Sequence, residues 1–427
     1  MTCLHPRRTA NFAVWLSCLL PLCASDDTSL RPIPLKSTIA KVQPMTGIVL
    51  WDTSDHLDNQ AIQLEFSYLG YGRMVTPEGD WDWSLVDRKL AAIAARGHQA
   101  IFRFYLVYPG SPAETPAHLR ALPDYKETEG KSEGQKTGFP DWSHPALDAF
   151  VKDFHTAFAA RYDRDPRLAF IQVGFGLWAE YHIYDGPFAL GKTFPDRALQ
   201  GALFRHFAAV YKETPWSVSV DAAKEEVSPF QEDASLLELN FGLFDDSFLC
   251  KQHARVNELD WNELDRKRFL RSPAGGEFSY YNKRDQKEAL APRGPNGVSF
   301  EEAAKAFGIS YMIGDDQPNY QAEERLREAG LASGYRFRVT AFSSAAGRDG
   351  NAGRSEIVVR NEGVAPIYRD AFITVDGVRA KTSLKHLAPG NEATFTVPAG
   401  SETPKLTITS DRLVPGQEIG FDADLGE

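Results

Sequence analysis

Residues 146–175, ALDAFVKDFHTAFAARYDRDPRLAFIQVGF, join an amphipathic helical pattern (Ala146–Arg161) to an apolar run (Leu168–Phe175) across a short polar turn. A helix that feeds a short apolar strand is one unit of a parallel sheet, because parallel strands need a crossover long enough to return the chain to its starting edge. The same unit recurs on both sides. Apolar runs at Gly47–Trp51, Ile62–Leu69, Gln99–Leu106, Trp216–Val220, Leu236–Leu243, Gly275–Ser279 and Ile309–Ile313 alternate with helical patterns at Ser84–Arg96, Arg197–Tyr211, Asn257–Phe269, Phe300–Phe307 and Tyr320–Ala329. Eight strand candidates in this order predict an α/β fold with a closed (β/α)8 barrel; a doubly wound open sheet is the alternative.

From Gly334 the texture changes. Short alternating runs at Tyr335–Phe342, Glu356–Arg360, Phe372–Val375, Ala393–Val397 and Lys405–Thr409 are separated by turn signals such as Val375-Asp376-Gly377 and Ala388-Pro389-Gly390. This predicts a C-terminal antiparallel β-sandwich. It contains no Trp, and Tyr335 and Tyr368 are its only strong stacking candidates, so it reads as a buttress rather than a carbohydrate-binding module.

The chain has 427 residues, of which 43% are apolar and 25% charged. That excludes a disordered or membrane-embedded protein and suits one large barrel plus a smaller module. The 58 acidic and 47 basic side chains leave a net charge of −11 with no basic run, which argues against nucleic acid and anionic membranes as partners. At the N-terminus, Arg7 and Arg8 precede an apolar run from Phe12 to Leu22, then Cys23, Ala24 and Ser25. This is the order of a secretory signal, too short to span a bilayer, and predicts a secreted or periplasmic protein cleaved after Ala24 or Ser25 with no integral membrane segment left. Cleavage would remove Cys3, Cys18 and Cys23, so the remaining Cys250 could form no internal disulfide. The expected layout is signal 1–25, Pro-rich linker 26–44, barrel 45–332 and sandwich 333–427.

Active groups of such barrels project from the C-terminal strand ends. In Ile101-Phe102-Arg103-Phe104-Tyr105, Arg103 and Tyr105 share a face opposite Phe102 and Phe104. The run starting at Leu168 continues to Trp178-Ala179-Glu180-Tyr181-His182, a carboxylate among aromatic rings, while Leu239–Phe244 leads into Asp245 and Asp246. Gly275-Gly276-Glu277 places a second glutamate in a glycine-led strand, where bare backbone would allow a ligand close. Two glutamates facing each other across a sugar are the equipment of glycoside hydrolysis. Trp178 and Tyr181 would raise the acid by desolvation, and Arg103 would keep the nucleophile ionised. No His-Glu-x-x-His, Cys pair, phosphate loop or dinucleotide fingerprint is present, so neither metal nor cofactor is expected.

The segments Tyr68-Leu69-Gly70-Tyr71, Pro77–Asp87, Ala95-Arg96-Gly97 and Ile101-Phe102-Arg103 resemble the barrel opening of the retaining glycosidase clan that includes β-galactosidases and cellulases. More closely, Gly174–His182, Gly276-Glu277, Gly334–Arg338 and Asn361–Tyr368 resemble a largely uncharacterised family of secreted bacterial proteins that joins such a barrel to a C-terminal sandwich. The resemblance covers nearly all of the mature chain. It implies an acid/base glutamate after the fourth strand, matched by Glu180, a nucleophile on the seventh, matched by Glu277, and an arginine on the second, matched by Arg103 if the Gly47–Trp51 run is a lead-in or the strand count is shifted by one. The clan carries Asn directly before its acid/base, where this chain has Ala179, so either another side chain, such as His182 or Asp246, contacts the substrate 2-hydroxyl or the barrel has lost or changed the chemistry.

The expectation is therefore a secreted retaining glycoside hydrolase acting on a poly- or oligosaccharide. Glu180 and Glu277 would be catalytic, and Arg103, Tyr105, Trp178, Tyr181, His182 and Asp246 would bind substrate. The rival is a catalytically inactive carbohydrate-binding or surface-attachment protein on the same barrel; a lyase has only Arg103 and His182 in its favour.

Overall fold

The computed structural model describes residues 29–347 and 352–426; the signal segment expected at 1–25 lies outside them. Eight strands close into one barrel: β1 (Gly47–Trp51), β2 (Leu64–Gly70), β3 (Gln99–Tyr105), β4 (Leu168–Val173), β5 (Trp216–Ser219), β6 (Gly242–Phe248), β7 (Ala274–Phe278) and β8 (Tyr311–Ile313). Every neighbouring pair is parallel, and closure comes from Tyr311, Met312 and Ile313 pairing with Gly47, Ile48 and Val49. The outer layer holds α1 (Ser84–Ala95), α2 (Pro145–Tyr162), α3 (Arg197–Val210), α4 (Ala254–Glu263), α5 (Phe300–Phe307) and α6 (Glu323–Leu331). The alternation read in β3 is what joins the layers. Phe104 packs at 4.9 Å between ring centroids on both Phe154 and Phe158 of α2, while Arg103 points into the barrel.

One strand lies elsewhere than expected. The run Leu236–Leu243 is mostly outside the sheet: Leu236 sits in a 3-10 turn (Ala234–Glu238) against Gly201 of α3, and the strand is Gly242–Phe248. The leucines are apolar because they cover a helix, which a short run cannot distinguish from a strand. Consequently Asp245 and Asp246 lie inside β6 instead of just beyond it. The Asn257–Phe269 pattern likewise divides, at Asp265 (φ 71°), into α4 and a 3-10 turn at Arg266–Leu270.

Beyond the barrel, β9 (Phe337–Ala345), β10 (Arg354–Asn361), β11 (Phe372–Val375), β12 (Glu392–Val397) and β13 (Leu406–Thr409) form antiparallel pairs in two sheets, β12–β10–β9 and β11–β13. The Pro-rich stretch before the barrel adds two short strands, Arg31–Pro32 and Lys36–Ser37, to the first of these sheets. Ile357 and Phe395 of one sheet and Ile373 and Ile408 of the other share an apolar cluster with Val49, Phe66, Phe170 and Tyr311 of the barrel. The barrel core thus runs out through the N-terminal end of the strands into the C-terminal sheets. Tyr335 and Tyr368 are both buried there, donating to the carbonyls of Pro44 (3.1 Å) and Phe269 (2.6 Å).

Arg369 fixes this junction. It is 2% exposed, and its Nη2 donates to the carbonyls of Leu168 (2.9 Å) and Ala169 (3.1 Å) and to Thr214 Oγ1 (3.2 Å), tying the starts of β4 and β5. Arg369→Met keeps the apolar length but strands two buried carbonyls, so stability is expected to fall by about 3 kcal/mol. Thermal unfolding checks this, with turnover at low temperature unchanged because the site lies at the other end of the barrel.

Candidate active site

At the C-terminal strand ends opens a cleft of about 1130 Å³ lined by residues between Trp51 and Tyr281, none of them from the C-terminal sheets. Its walls are aromatic: Trp51 at the end of β1, Tyr68 in β2, Tyr108 after β3, Trp178 and Tyr184 after β4, and Tyr280 and Tyr281 after β7. Glu180, Asp221, Asp246 and Glu277 reach the same space.

Glu180 is delivered by a compact turn. After β4 the chain leaves the sheet at Gly174, and the backbone N–H groups of Phe175 and Gly176 both donate to the Glu180 carbonyl (3.1 and 2.7 Å), while Leu177 donates to that of His182 (3.0 Å). Trp178 and Ala179 take left-handed φ values of 55° and 56°, a conformation that costs non-glycine residues and persists only where the surroundings impose it. A Cβ on Gly174 would collide with the Ala179 carbonyl, and one on Gly176 with that of His182. Gly176→Ala must therefore displace the turn that carries both Glu180 and His182. The expected result is a loss of turnover of about 10²-fold, with stability much less affected, read from kcat beside a melting curve.

Beneath the cleft lies Arg103, wholly buried in the barrel. Its Nε donates to Gln172 Oε1 (2.8 Å), Nη1 to Glu180 Oε1 (3.1 Å) and Nη2 to Asp246 Oδ1 (2.8 Å), with the Phe244 ring 4.5 Å from the guanidinium carbon. Gln172 in turn donates to Tyr311 (2.8 Å). On its other side Glu180 Oε2 is 3.3 Å from His182 Nε2, His182 Nδ1 is 2.9 Å from Asp221 Oδ2, and Asp221 Oδ1 is 2.8 Å from Lys224 Nζ. Lys224, Asp221, His182, Glu180, Arg103 and Asp246 thus form one row in which basic and acidic groups alternate.

Glu277 stands outside that row, without a cation at ion-pair distance among the described residues and with its buried Oε1 unpartnered. The glycines before it serve protein packing, and the expected close approach by a ligand gives way to contact within the chain. A Cβ on Gly276 would meet the Asp245 carbonyl, and one on Gly275 the Tyr311 ring. Asp245 faces the helical layer, accepting from Ser247 N (2.9 Å), Asn257 Nδ2 (2.8 Å) and Trp261 Nε1 (3.2 Å).

The charges follow from burial. Burial pushes Glu180 well above the ordinary carboxylate range, and Asp246 adds to this while Arg103 opposes it. Burial lifts Glu277 to about 8 against the pull of Arg103, with Asp246 assisting the rise. Asp221 is held down at about 2: burial would raise it, but His182 and Lys224 outweigh that. For Arg103, burial works against the charge, but Tyr68, Asp246, Glu180 and Glu277 push it above its usual value.

The structure therefore brings Glu180, Glu277, Trp178, His182 and Asp246 to one cleft, and it changes the reading of three other residues. Arg103 lies on the third strand, since Gly47–Trp51 is a full barrel strand. It is 0% exposed, so it braces Glu180 and Asp246 from below instead of binding substrate or pairing with Glu277. Tyr105 is not in the cleft wall; it stands behind Tyr68 and Tyr108, with ring centroids 6.2 and 5.4 Å away. Tyr181 is 0% exposed and packs on Phe175, Phe194 and Phe204, so only its edge borders the cleft. Asp221, Trp51 and Tyr108 belong to the site but were not singled out. Asp221 directly follows the run Trp216–Val220, so the strand-end rule applied to that run would have found it. Among the described residues no group of three or more His, Cys, Asp or Glu side chains is arranged to hold a metal ion, and no described helix is long and apolar enough to cross a membrane.

No family model and no curated protein matches the sequence. Solved structures similar to the chain include the galactosidase domain of an alpha-galactosidase-sucrose kinase (9% identity, TM-score 0.39), which covers 85% of this chain; the chain spans only 56% of that protein. Endo-glycoceramidase II from Rhodococcus sp. is 12% identical, with TM-score 0.39 over 88% of this chain and 99% of its own. A glycoside hydrolase family 30 subfamily 8 xylanase from Clostridium acetobutylicum is 12% identical, with TM-score 0.36 over 84% and 97%. All three are glycoside hydrolases. At these scores the fold of the present chain rests on its own strand order and closure.

Proposed function

We propose that the chain is a secreted glycoside hydrolase that cleaves a poly- or oligosaccharide with retention of configuration. Glu180 acts as general acid/base and Glu277 as nucleophile, while the C-terminal sheets, read as a sandwich, buttress the barrel. One observation carries this reading: the turn after β4 and the C-terminal end of β7 deliver two buried glutamates to the floor of a single cleft walled by Trp and Tyr rings. Such rings offer stacking faces to sugars, and paired carboxyls supply the acid and the nucleophile. Trp178 and Asp246 reach the substrate directly; Arg103 acts from beneath.

The electrostatics set a pH dependence. A nucleophile must be ionised, and Glu277 gives up its proton only near about 8, so kcat/KM should rise with pH from 5 towards that value. It should fall again where Glu180, also raised, loses the proton owed to the leaving group. A profile already at its plateau at pH 5 would contradict the role given to Glu277.

A second reading has its own support. Arg103, 3.1 Å from Glu180, opposes the protonated form that a general acid needs, which favours a barrel that holds a glycan without cutting it. Digestion of a panel of glycans with sizing of the products decides between them. Release of new reducing ends, lost in Glu277→Gln, supports the hydrolase; binding of a glycan without release supports the alternative.

A further inference from the structure

We infer that Glu180 and His182 work as one acid, sharing a single proton between Glu180 Oε2 and His182 Nε2, and that Asp221 is the positioning residue that keeps the imidazole in the required state. This rests on the hydrolase reading given above. The tie between Asp221 and Lys224 makes Asp221 a fixed carboxylate, so His182 Nδ1, 2.9 Å away, must carry a proton. Nε2 is then the variable atom, and it faces Glu180 Oε2 at 3.3 Å without the alignment of a hydrogen bond. The side chain of His182 is 21% exposed towards the cleft, which leaves it room to turn into line.

Arg103 completes the arrangement. Because it bonds the other oxygen of Glu180, it stabilises the carboxylate when the proton sits on the ring. The groups facing His182 are Glu180, Asp221 and, from β6, Asp246, with the rings of Trp178 and Tyr184 6.3 and 5.1 Å away; Glu180 faces Arg103, Asp246, Glu277 and Asp221. In the first step Glu277 bonds to the sugar carbon as the glycosidic C–O bond breaks. The electron pair stays on the leaving oxygen, which takes the shared proton. In the second step water bonds to that carbon and displaces Glu277, and its proton returns to the Glu180–His182 pair. The pair ends as it began, with one proton.

His182→Gln is expected to reduce kcat on an unactivated glycan by about 10²-fold, leave an aryl glycoside with a good leaving group within a few-fold, and shift the alkaline limb of the pH profile. Asp221→Asn should show the same pattern, weaker. Equal losses on both substrates with an unmoved limb would mean that His182 only shapes the turn, and would overturn the inference. A second measurement is independent of turnover. The ring 15N signals of His182 at neutral pH should show Nε2 partly proton-bearing in the wild-type protein and collapse to one state in Glu180→Gln. Signals indifferent to Glu180→Gln would overturn the inference whatever the activity. Signals that respond in a protein that cleaves no glycan would uphold the shared proton and sink the hydrolase reading alone.

Discussion

Glu277→Gln should bring hydrolysis down to background, and Glu180→Gln should lower it by about 10²–10⁴-fold, with both proteins folded as judged by circular dichroism. The asymmetry follows from the geometry. Among the described residues Glu277 has no cation at ion-pair distance and its Oε1 is unpartnered, whereas Glu180 sits in a row of groups that can exchange protons around it. The two residues also fail in different ways. Glu277→Ala leaves a space at the floor of the cleft that azide can fill, so added azide should restore part of the activity and yield a glycosyl azide of inverted configuration. Glu180→Ala should remain active on aryl glycosides that need no protonation and be inactive on natural ones. Proton NMR of the first sugar released by the wild-type protein tests the shared premise. A retained anomer fits a covalent glycosyl-enzyme on Glu277, and an inverted one contradicts it even if both glutamates prove essential.

The barrel was legible because its strands are continuous apolar runs separated by amphipathic helices; β1, β2, β3, β4, β5, β7 and β8 lie within two residues of the runs read from the sequence. The exception at Leu236 shows where that signal ends, since leucines that cover α3 and leucines in a buried strand share one local pattern. The site was half legible. Placing each acid at a strand end found Glu180, Glu277 and Asp246 because position along a strand is a local property. The direction of Arg103 was legible too, as the alternation in β3 sends it inward. Its partners were not: whether an inward arginine meets Glu180, Asp246 or Glu277 depends on the stagger between strands far apart in the chain. The lone imidazole of His182 gave no hint of Asp221, which arrives from the end of β5, 39 residues away.

Removing that arginine should cost more stability than any other single change at the site. Arg103→Met keeps apolar bulk in the barrel but deletes the buried guanidinium that lies over the Phe66 and Phe244 rings and is shared by Glu180 and Asp246. Breaking a buried pair from one side costs about 3–5 kcal/mol because the remaining charge has no compensation. Here two carboxyls are stranded, with Glu277 close enough to add to the repulsion on Glu180. The sign of the pH dependence follows. Losing Arg103 raises the folded-state pKa of Glu180 and Asp246 further above their unfolded values of about 4. The folded variant therefore binds protons more tightly than the unfolded chain, and it loses stability as pH rises from about 4 through the raised values. Its deficit against the wild-type protein should be small at pH 4 and widen steadily to pH 8; Asp245, titrating alike in both, cancels from the difference. Arg103→Lys restores the charge but cannot span both carboxylates and Gln172 with one ammonium, so it should recover much of the melting temperature and little of the turnover. A deficit of the same size at every pH would show that Arg103 acts through its packing on the rings, and that the alternating row of charges is not what holds the floor of the cleft together.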